Sequence, residues 1–177
     1  MMASHELTLR PIRSVAVLGA GTMGAQIAAH VANAGLPVLL LDLDTDTARS
    51  GLKRAAPLKP DPFFTRETQT RIRLGGFDRD LPEIAGCDWI IEAIIERLDA
   101  KQALLEQVET HRRADAIVTS NTSGIPIGTI AEGRSEGFRR HWLGSHFFNP
   151  PRYLRLVEIV PTGDTDPAVV TALSSFV

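Results

Sequence analysis

The sequence has 177 residues, a formal net charge of −2, 44% hydrophobic residues and 23% charged ones. That is enough chain for one domain with a real core, and the near-neutral balance gives no reason to expect nucleic acid or an anionic membrane as partner. A single cysteine, Cys87, excludes an internal disulfide, no apolar run reaches the length of a membrane span, and residues 1–12 show no secretory pattern, so they read as a flexible lead-in to a cytoplasmic protein.

Val15-Ala-Val-Leu18 is a short apolar run rich in β-branched residues, and it stops at Gly19-Ala-Gly-Thr-Met-Gly24. Apolar residues then recur at helical spacing, Met23, Ile27 and Val31, which predicts a helix from Thr22 to Asn33 ending at Gly35 with Pro37 beyond. Val38-Leu-Leu-Leu41 reads as a second buried strand with Asp42 at its carboxyl end. Strand, GxGxxG turn, helix, strand and acid, in that order, form the dinucleotide-binding fingerprint. Gly19 permits the tight turn, Gly21 lets the backbone approach a pyrophosphate, and Gly24 lets the helix lie close on the sheet. The helix amino terminus, with Thr22 and Met23 in its first turn, offers N–H groups and the positive end of its dipole to the phosphates. Asp42 is placed to accept hydrogen bonds from the adenosine ribose. Asp44 and Asp46 follow it and no arginine stands immediately after it, so a 2′-phosphate would meet an acidic cluster; NAD is expected rather than NADP.

A second helix is predicted from Asp44 to Ala56, capped by Asp44 or Thr45. Lys53, Arg54 and Lys59 give this region a basic edge that reads as a solvated face, with phosphate recognition as the other reading. Pro57-Leu-Lys-Pro-Asp-Pro62 ends the helix by withholding N–H donors, and Phe63 and Phe64 read as anchors of the loop. Arg71 to Leu74 alternates like an edge strand that ends at Gly75-Gly76. Cys87 to Ile95 is a buried-strand pattern, Leu98 to Glu109 an amphipathic helix, and Ala116 to Thr119 a strand running into Ser120-Asn-Thr-Ser-Gly124. Trp142 to Phe148 carries His146 near its carboxyl end, Asn149-Pro-Pro151 forces a turn, and Leu154 to Val160 reads as a return strand. Asp166-Pro167 supplies the cap and first position of a last helix. His30 reads as a surface or packing residue, His111 and His141 as surface residues, and Trp89 and Trp142 as core; no metal site is expected.

This alternation argues for an α/β fold, a Rossmann-type doubly wound, mainly parallel sheet with helices on both faces. Ligands of such sheets collect outside the carboxyl ends of the strands, and Gly19 to Gly24, Asp42, Ala93 to Glu96 and Ser120 to Ser123 all fall on that rim. If the last two strands pair about a centre near Arg152, His146 and Glu158 lie side by side. A carboxylate beside an imidazole fixes its tautomer and makes the other nitrogen a better base. Ser123 is placed to donate to a substrate oxygen on the same rim. Alcohol dehydrogenation needs this equipment, a base for the hydroxyl proton beside a nicotinamide that takes the hydride. On spacing alone a plainer reading competes, in which His146 caps a strand end and Glu158 is an exposed strand residue.

Ser120-Asn-Thr-Ser-Gly124, His146-Phe-Phe-Asn-Pro150 and Leu156-Val-Glu158, downstream of the glycine turn, together resemble the amino-terminal domain of the L-3-hydroxyacyl-CoA dehydrogenases, from Arg13 to Val177. Asp88-Trp-Ile-Ile-Glu92 and Asn121-Thr-Ser-Gly-Ile125 are similar to the bacterial multifunctional fatty-acid oxidation enzymes. The resemblance implies NAD-dependent oxidation of L-3-hydroxyacyl-CoA to 3-ketoacyl-CoA in fatty-acid β-oxidation. It implies His146 as general base, Glu158 as its orienting partner, Ser123 at the substrate 3-oxygen and Asn149 shaping the site. It also implies cofactor contacts from the glycine turn (Gly19, Gly21, Thr22, Met23, Gly24), Asp42, Ala93 and Asn121, with Glu96 and Lys101 near the nicotinamide end. The segment from Asp44 to Arg71 is shorter than the family's helical hairpin, which leaves open which of Lys53, Arg54 and Lys59 meets CoA. The family continues into an all-helical domain that closes over the substrate and forms a homodimer; that domain is absent from this chain, so the isolated chain is expected to bind NAD but turn over acyl-CoA poorly. Two rivals stay open, a non-catalytic NAD-binding protein of the same fold, and a dehydrogenase of free 3-hydroxy acids or a 3-hydroxybutyryl-CoA dehydrogenase working in the reductive direction.

Overall fold

The computed structural model describes residues 9–177. In chain order the strands are β1 (Val15–Leu18), β2 (Val38–Asp42), β3 (Ile72–Gly76), β4 (Trp89–Glu92), β5 (Ile117–Ser120), β6 (Trp142–Phe147) and β7 (Val157–Pro161). The helices are α1 (Thr22–Asn33), α2 (Thr45–Ala55), α3 (Leu98–His111), the single turns α4 (Ile127–Ile130) and α5 (Glu136–Arg139), and α6 (Pro167–Phe176). The strands make one sheet in the order β3-β2-β1-β4-β5-β6-β7, parallel throughout except for the antiparallel pair β6-β7. The order reverses between β1 and β4, which is where ligands of doubly wound sheets bind.

Alternate residues of the central strands feed two cores. Val15 and Val17 pack with Ile27, Ala28, Ala48 and Val169 from α1, α2 and α6, whereas Ala16 and Leu18 pack with Leu105, Val108, Ile130 and Phe138 from α3, α4 and α5. Burial on both faces is why β1, β2 and β4 read as unbroken apolar runs rather than alternating ones. The expected Rossmann-type architecture is the one found. The helix over Thr22–Asn33 has the expected ends, with Gly35 at φ +90° just beyond it. Asp44 caps α2 by accepting from Thr47 N, and Asp166 caps α6 by accepting from Ala168 N.

Several elements differ from the sequence reading. The strand expected over Cys87–Ile95 is only Trp89–Glu92, because Ala93 N makes its last ladder bond to Leu18 O and the chain then leaves the rim, with Ile95 exposed. The return strand begins at Val157, since Tyr153 N and Leu154 N both bond back to Pro150 O and close a turn there. His141 is buried rather than on the surface. The turn of α5 brings its Nδ1 to 2.9 Å from Gly137 O, and desolvation holds its pKa below the ordinary value. Phe63 enters the core, but Phe64 stays exposed beneath the Arg152 guanidinium, 4.4 Å from its ring centroid. Of the lead-in expected over 1–12, residues 1–8 lie outside the described residues, and Leu9 and Ile12 pack partly buried against the core. Among the described residues no helix is long and apolar enough to cross a membrane.

Candidate active site

The glycine turn is built to close tolerances. A Cβ on Gly24 would sit 1.9 Å from Gly19 O, and one on Gly19, at φ +103°, would sit 2.6 Å from Ala93 O. A Cβ on Gly21 would meet nothing within 4 Å, so its open side faces the cleft. Asp42 braces this turn as well as lining the cleft: Oδ2 accepts from Ala20 N at 2.6 Å and Oδ1 from Leu43 N at 2.7 Å. The cleft has a volume of about 750 Å³, and the turn, Asp42 and Leu43 face Ala103, Leu104 and Gln107 of α3 across it. No acidic residue stands in the first turn of α1 to oppose phosphates there. These residues fit a dinucleotide.

Two smaller cavities continue the cleft along the rim. One of about 340 Å³ shares Met23, Ala93 and Ile94 with it and adds Glu96, Lys101, Asn121, Ser123, His146 and Asn149. The next, about 360 Å³, shares Ser123 and His146 with the second and is bounded by Glu158, Ile127 and Val160. Gly24 is buried, with Gly19 O where its Cβ would stand, but all the other expected cofactor and catalytic residues line this groove. Lys53, Arg54 and Lys59 are not among its lining residues and lie exposed on and after α2.

At the far end, His146 and Glu158 are register partners of β6 and β7, and Nδ1 of His146 lies 2.8 Å from Oε2 of Glu158. With Nδ1 committed to the carboxylate, Nε2 is the nitrogen left to exchange a proton. Asn121 has a role the sequence reading did not give it, since its Oδ1 accepts from Phe147 N at 2.9 Å and ties the end of β5 to the end of β6. Asn149 Oδ1 accepts from Gln26 Nε2 at 3.2 Å, and the same amide donates to Thr22 O at 2.9 Å. Gln26, buried in the second turn of α1, therefore fastens the loop after His146 to the cofactor helix. The only signal for it was a polar residue amid the small apolar ones of that helix.

At the middle of the groove, Lys101 Nζ lies 2.7 Å from Glu92 Oε1 and 3.2 Å from Glu96 Oε2, with Lys101 and Glu92 wholly buried and Glu96 exposed. Burial pushes the Glu96 carboxyl up, but hydrogen bonds from Thr122 and Gly124 and the Lys101 ammonium outweigh it and hold it below the usual range. In the sequence Glu92 is one polar residue inside the apolar run Cys87 to Ile95 and has no assigned role, because its partner lies beyond the rim loop, on the next helix.

Residues 14–177 match the family model described as "3-hydroxyacyl-CoA dehydrogenase, NAD binding domain". A probable 3-hydroxyacyl-CoA dehydrogenase of Deinococcus radiodurans is 48% identical over 172 residues, covering 93% of this chain and 50% of the relative. The fatty acid oxidation complex subunit alpha of Psychrobacter arcticus is 36% identical over 166 residues, covering 88% of this chain and 22% of that protein. Among solved structures, the 3-hydroxybutyryl-CoA dehydrogenase of Escherichia coli K12 superposes with a TM-score of 0.79 at 31% identity, covering 94% of this chain and 36% of that one. The chain thus spans half or less of the length of these relatives.

Proposed function

The chain belongs to the family of 3-hydroxyacyl-CoA dehydrogenase NAD-binding domains, and from that membership we propose that it is the cofactor-binding and proton-handling part of an enzyme that oxidises L-3-hydroxyacyl-CoA to 3-ketoacyl-CoA in fatty-acid β-oxidation. The observation that carries this reading is the groove itself. Three neighbouring cavities, each sharing lining residues with the next, lead from the glycine turn and Asp42 to the His146–Glu158 pair.

When bound, NAD supplies the hydride acceptor. Asp42 takes the adenosine ribose, the turn from Gly19 to Gly24 with Thr22 and Met23 takes the pyrophosphate, and Ala93, Glu96, Lys101 and Asn121 line the nicotinamide end. His146 Nε2 accepts the proton of the substrate 3-hydroxyl as hydride leaves the same carbon. Glu158 holds the imidazole in the productive tautomer and stabilises the imidazolium that forms. Ser123 donates to the substrate 3-oxygen, and Asn149, held by Gln26, fixes the wall beside it. Substrate closure belongs to an all-helical domain following this one in the whole protein, which also forms a homodimer, and the protein works in the cytoplasm. A second reading is a 3-hydroxybutyryl-CoA dehydrogenase working in the reductive direction; the likeness to the E. coli 3-hydroxybutyryl-CoA dehydrogenase supports its substrate, and it uses the same residues.

The test is a fluorescence titration of this chain with NADH and NADPH, followed by acetoacetyl-CoA reduction by the chain extended with the region that follows the match in a longer relative. Micromolar to millimolar NADH binding, weaker NADPH binding and turnover only in the extended protein are expected. Preference for NADPH would sink the cofactor assignment, and an inactive extended protein would sink the reaction.

A further inference from the structure

Glu92 has no part in the chemistry proposed above, yet it is wholly buried and both of its carboxylate oxygens are engaged. It closes β4 with 0% exposure, one residue before the rim loop Ala93–Glu96. Its Oε1 accepts from Lys101 Nζ at 2.7 Å and from Ile94 N at 2.7 Å, and its Oε2 accepts from Ser120 Oγ at 2.5 Å. Ser120 Oγ in turn accepts from Thr122 N at 3.2 Å, the Thr122 hydroxyl donates to Glu96 Oε1, and Glu96 Oε2 meets Lys101 Nζ at 3.2 Å. The contacts close a ring: Glu92, Lys101, Glu96, Thr122, Ser120 and back to Glu92. It spans the end of β4, the rim loop, α3 and the end of β5, and Ser123 is the next residue after one of its members.

Stability alone is a poor reason for such a ring, because well-packed apolar residues commonly serve a core as well as a buried ion pair does. What a fully satisfied polar network does confer is fixed relative position of the elements it joins. Here those elements are the ones that flank the second cavity. We propose that Glu92 is a positioning residue for the nicotinamide end of the cofactor, holding Lys101 and Glu96 in register with the Ser123 loop. The inference rests on the reading that Glu96 and Lys101 line that end.

The experiment compares two ligands on the 177-residue chain, NADH and ADP-ribose, which shares the adenosine and pyrophosphate but has no nicotinamide. Glu92→Gln keeps the shape and removes the charge that pins Lys101. About a tenfold loss of NADH affinity is expected, with ADP-ribose affinity unchanged within twofold. A purely structural role would move both ligands together or neither, and an unchanged NADH to ADP-ribose ratio overturns the proposal. Should the Gln variant fail to fold, Ser120→Ala removes the hydroxyl that holds the other Glu92 oxygen and leaves Lys101 and Glu96 in place. It is expected to weaken NADH binding more than ADP-ribose binding; an unchanged ratio overturns the proposal. A wild-type chain that binds ADP-ribose as tightly as NADH would instead sink the placement of Glu96 and Lys101, and the inference with it.

Discussion

His146 and Glu158 are direct register partners across the antiparallel β6–β7 pair, and their side chains meet at 2.8 Å between Nδ1 and Oε2. Opposite positions on neighbouring strands are the closest side-chain neighbours a sheet provides, so the backbone ladder itself sets the pair's geometry. The His146 side chain is 22% exposed and that of Glu158 is 54% exposed, so the base is sheltered while its partner faces outward. The antiparallel turn after β6 is what makes this possible, because a parallel crossover would have carried the acid to the far end of the sheet.

The glycine turn separates folding from binding at two positions three residues apart. Gly21→Ala adds a methyl group that meets no protein atom within 4 Å, so thermal stability should hold within a few degrees while NADH affinity falls about tenfold or more. Gly24→Ala would push its Cβ to 1.9 Å from Gly19 O and should lower stability as well as binding. Parallel melting curves and NADH titrations distinguish the two; a Gly21→Ala variant that binds NADH normally would show that the pyrophosphate does not lie against this turn.

Asp42 should discriminate between the two nicotinamide dinucleotides. Asp42→Asn keeps one acceptor oxygen but removes the charge that favours ribose hydroxyls and opposes a 2′-phosphate. NADH affinity is expected to drop about tenfold, the scale of a hydrogen bond to a charged group, and the gap to NADPH to narrow. Titration of both dinucleotides on both proteins measures this. An unchanged ratio would remove Asp42 from cofactor selection.

Asp88 clamps the start of β1 to the base of β4, accepting from Arg13 N, Ser14 N and Arg113 Nη2. Burial pushes its pKa up, but these hydrogen bonds and the Arg113 charge prevail and leave it below the ordinary aspartate value. A depressed native pKa means that its contribution is present above the unfolded value and is lost as pH falls through the native one. Asp88→Asn should therefore cost about 1–3 kcal/mol near neutrality and flatten the acid limb of the stability curve. Urea unfolding from about pH 3 to 7 tests it; an equally steep acid limb in the variant would assign the acid sensitivity elsewhere.

Cys87 carries the opposite sign. Burial, with Asp88 adding to it, pushes its thiol up to about 11 from an ordinary value of 9.0. The native state therefore holds the proton longer than the unfolded one. The resulting stabilisation is complete below 9.0 and is lost as pH rises towards 11. Alkylation with iodoacetamide at about pH 8.5 should run at least tenfold slower than for a free thiol until the chain unfolds. Rapid labelling of the folded protein would contradict the burial of this residue.

Much of this was legible in the sequence because the signals were local. The ends of α1 followed from the glycine turn and Gly35, and the pairing of His146 with Glu158 followed from counting about Arg152. What escaped notice was set by tertiary contact. Glu92 looks like a strand residue until Lys101 folds back beneath it, Gln26 until Asn149 comes to rest beside it, and His141 until α5 covers it. The single turns α4 and α5 are too short to carry a helical period, and Cys87 to Ile95 looked longer as a strand than it is because the rim loop is itself apolar.

The most direct test of the central claim is His146→Gln in the protein extended to include a substrate-closing domain, with acetoacetyl-CoA reduction and NADH affinity measured on the same preparation. Loss of the general base should lower turnover by about 10²- to 10⁴-fold and leave the NADH dissociation constant within twofold, because the glycine turn and Asp42 stand at the other end of the groove. A variant that reduces acetoacetyl-CoA at the wild-type rate would contradict the account.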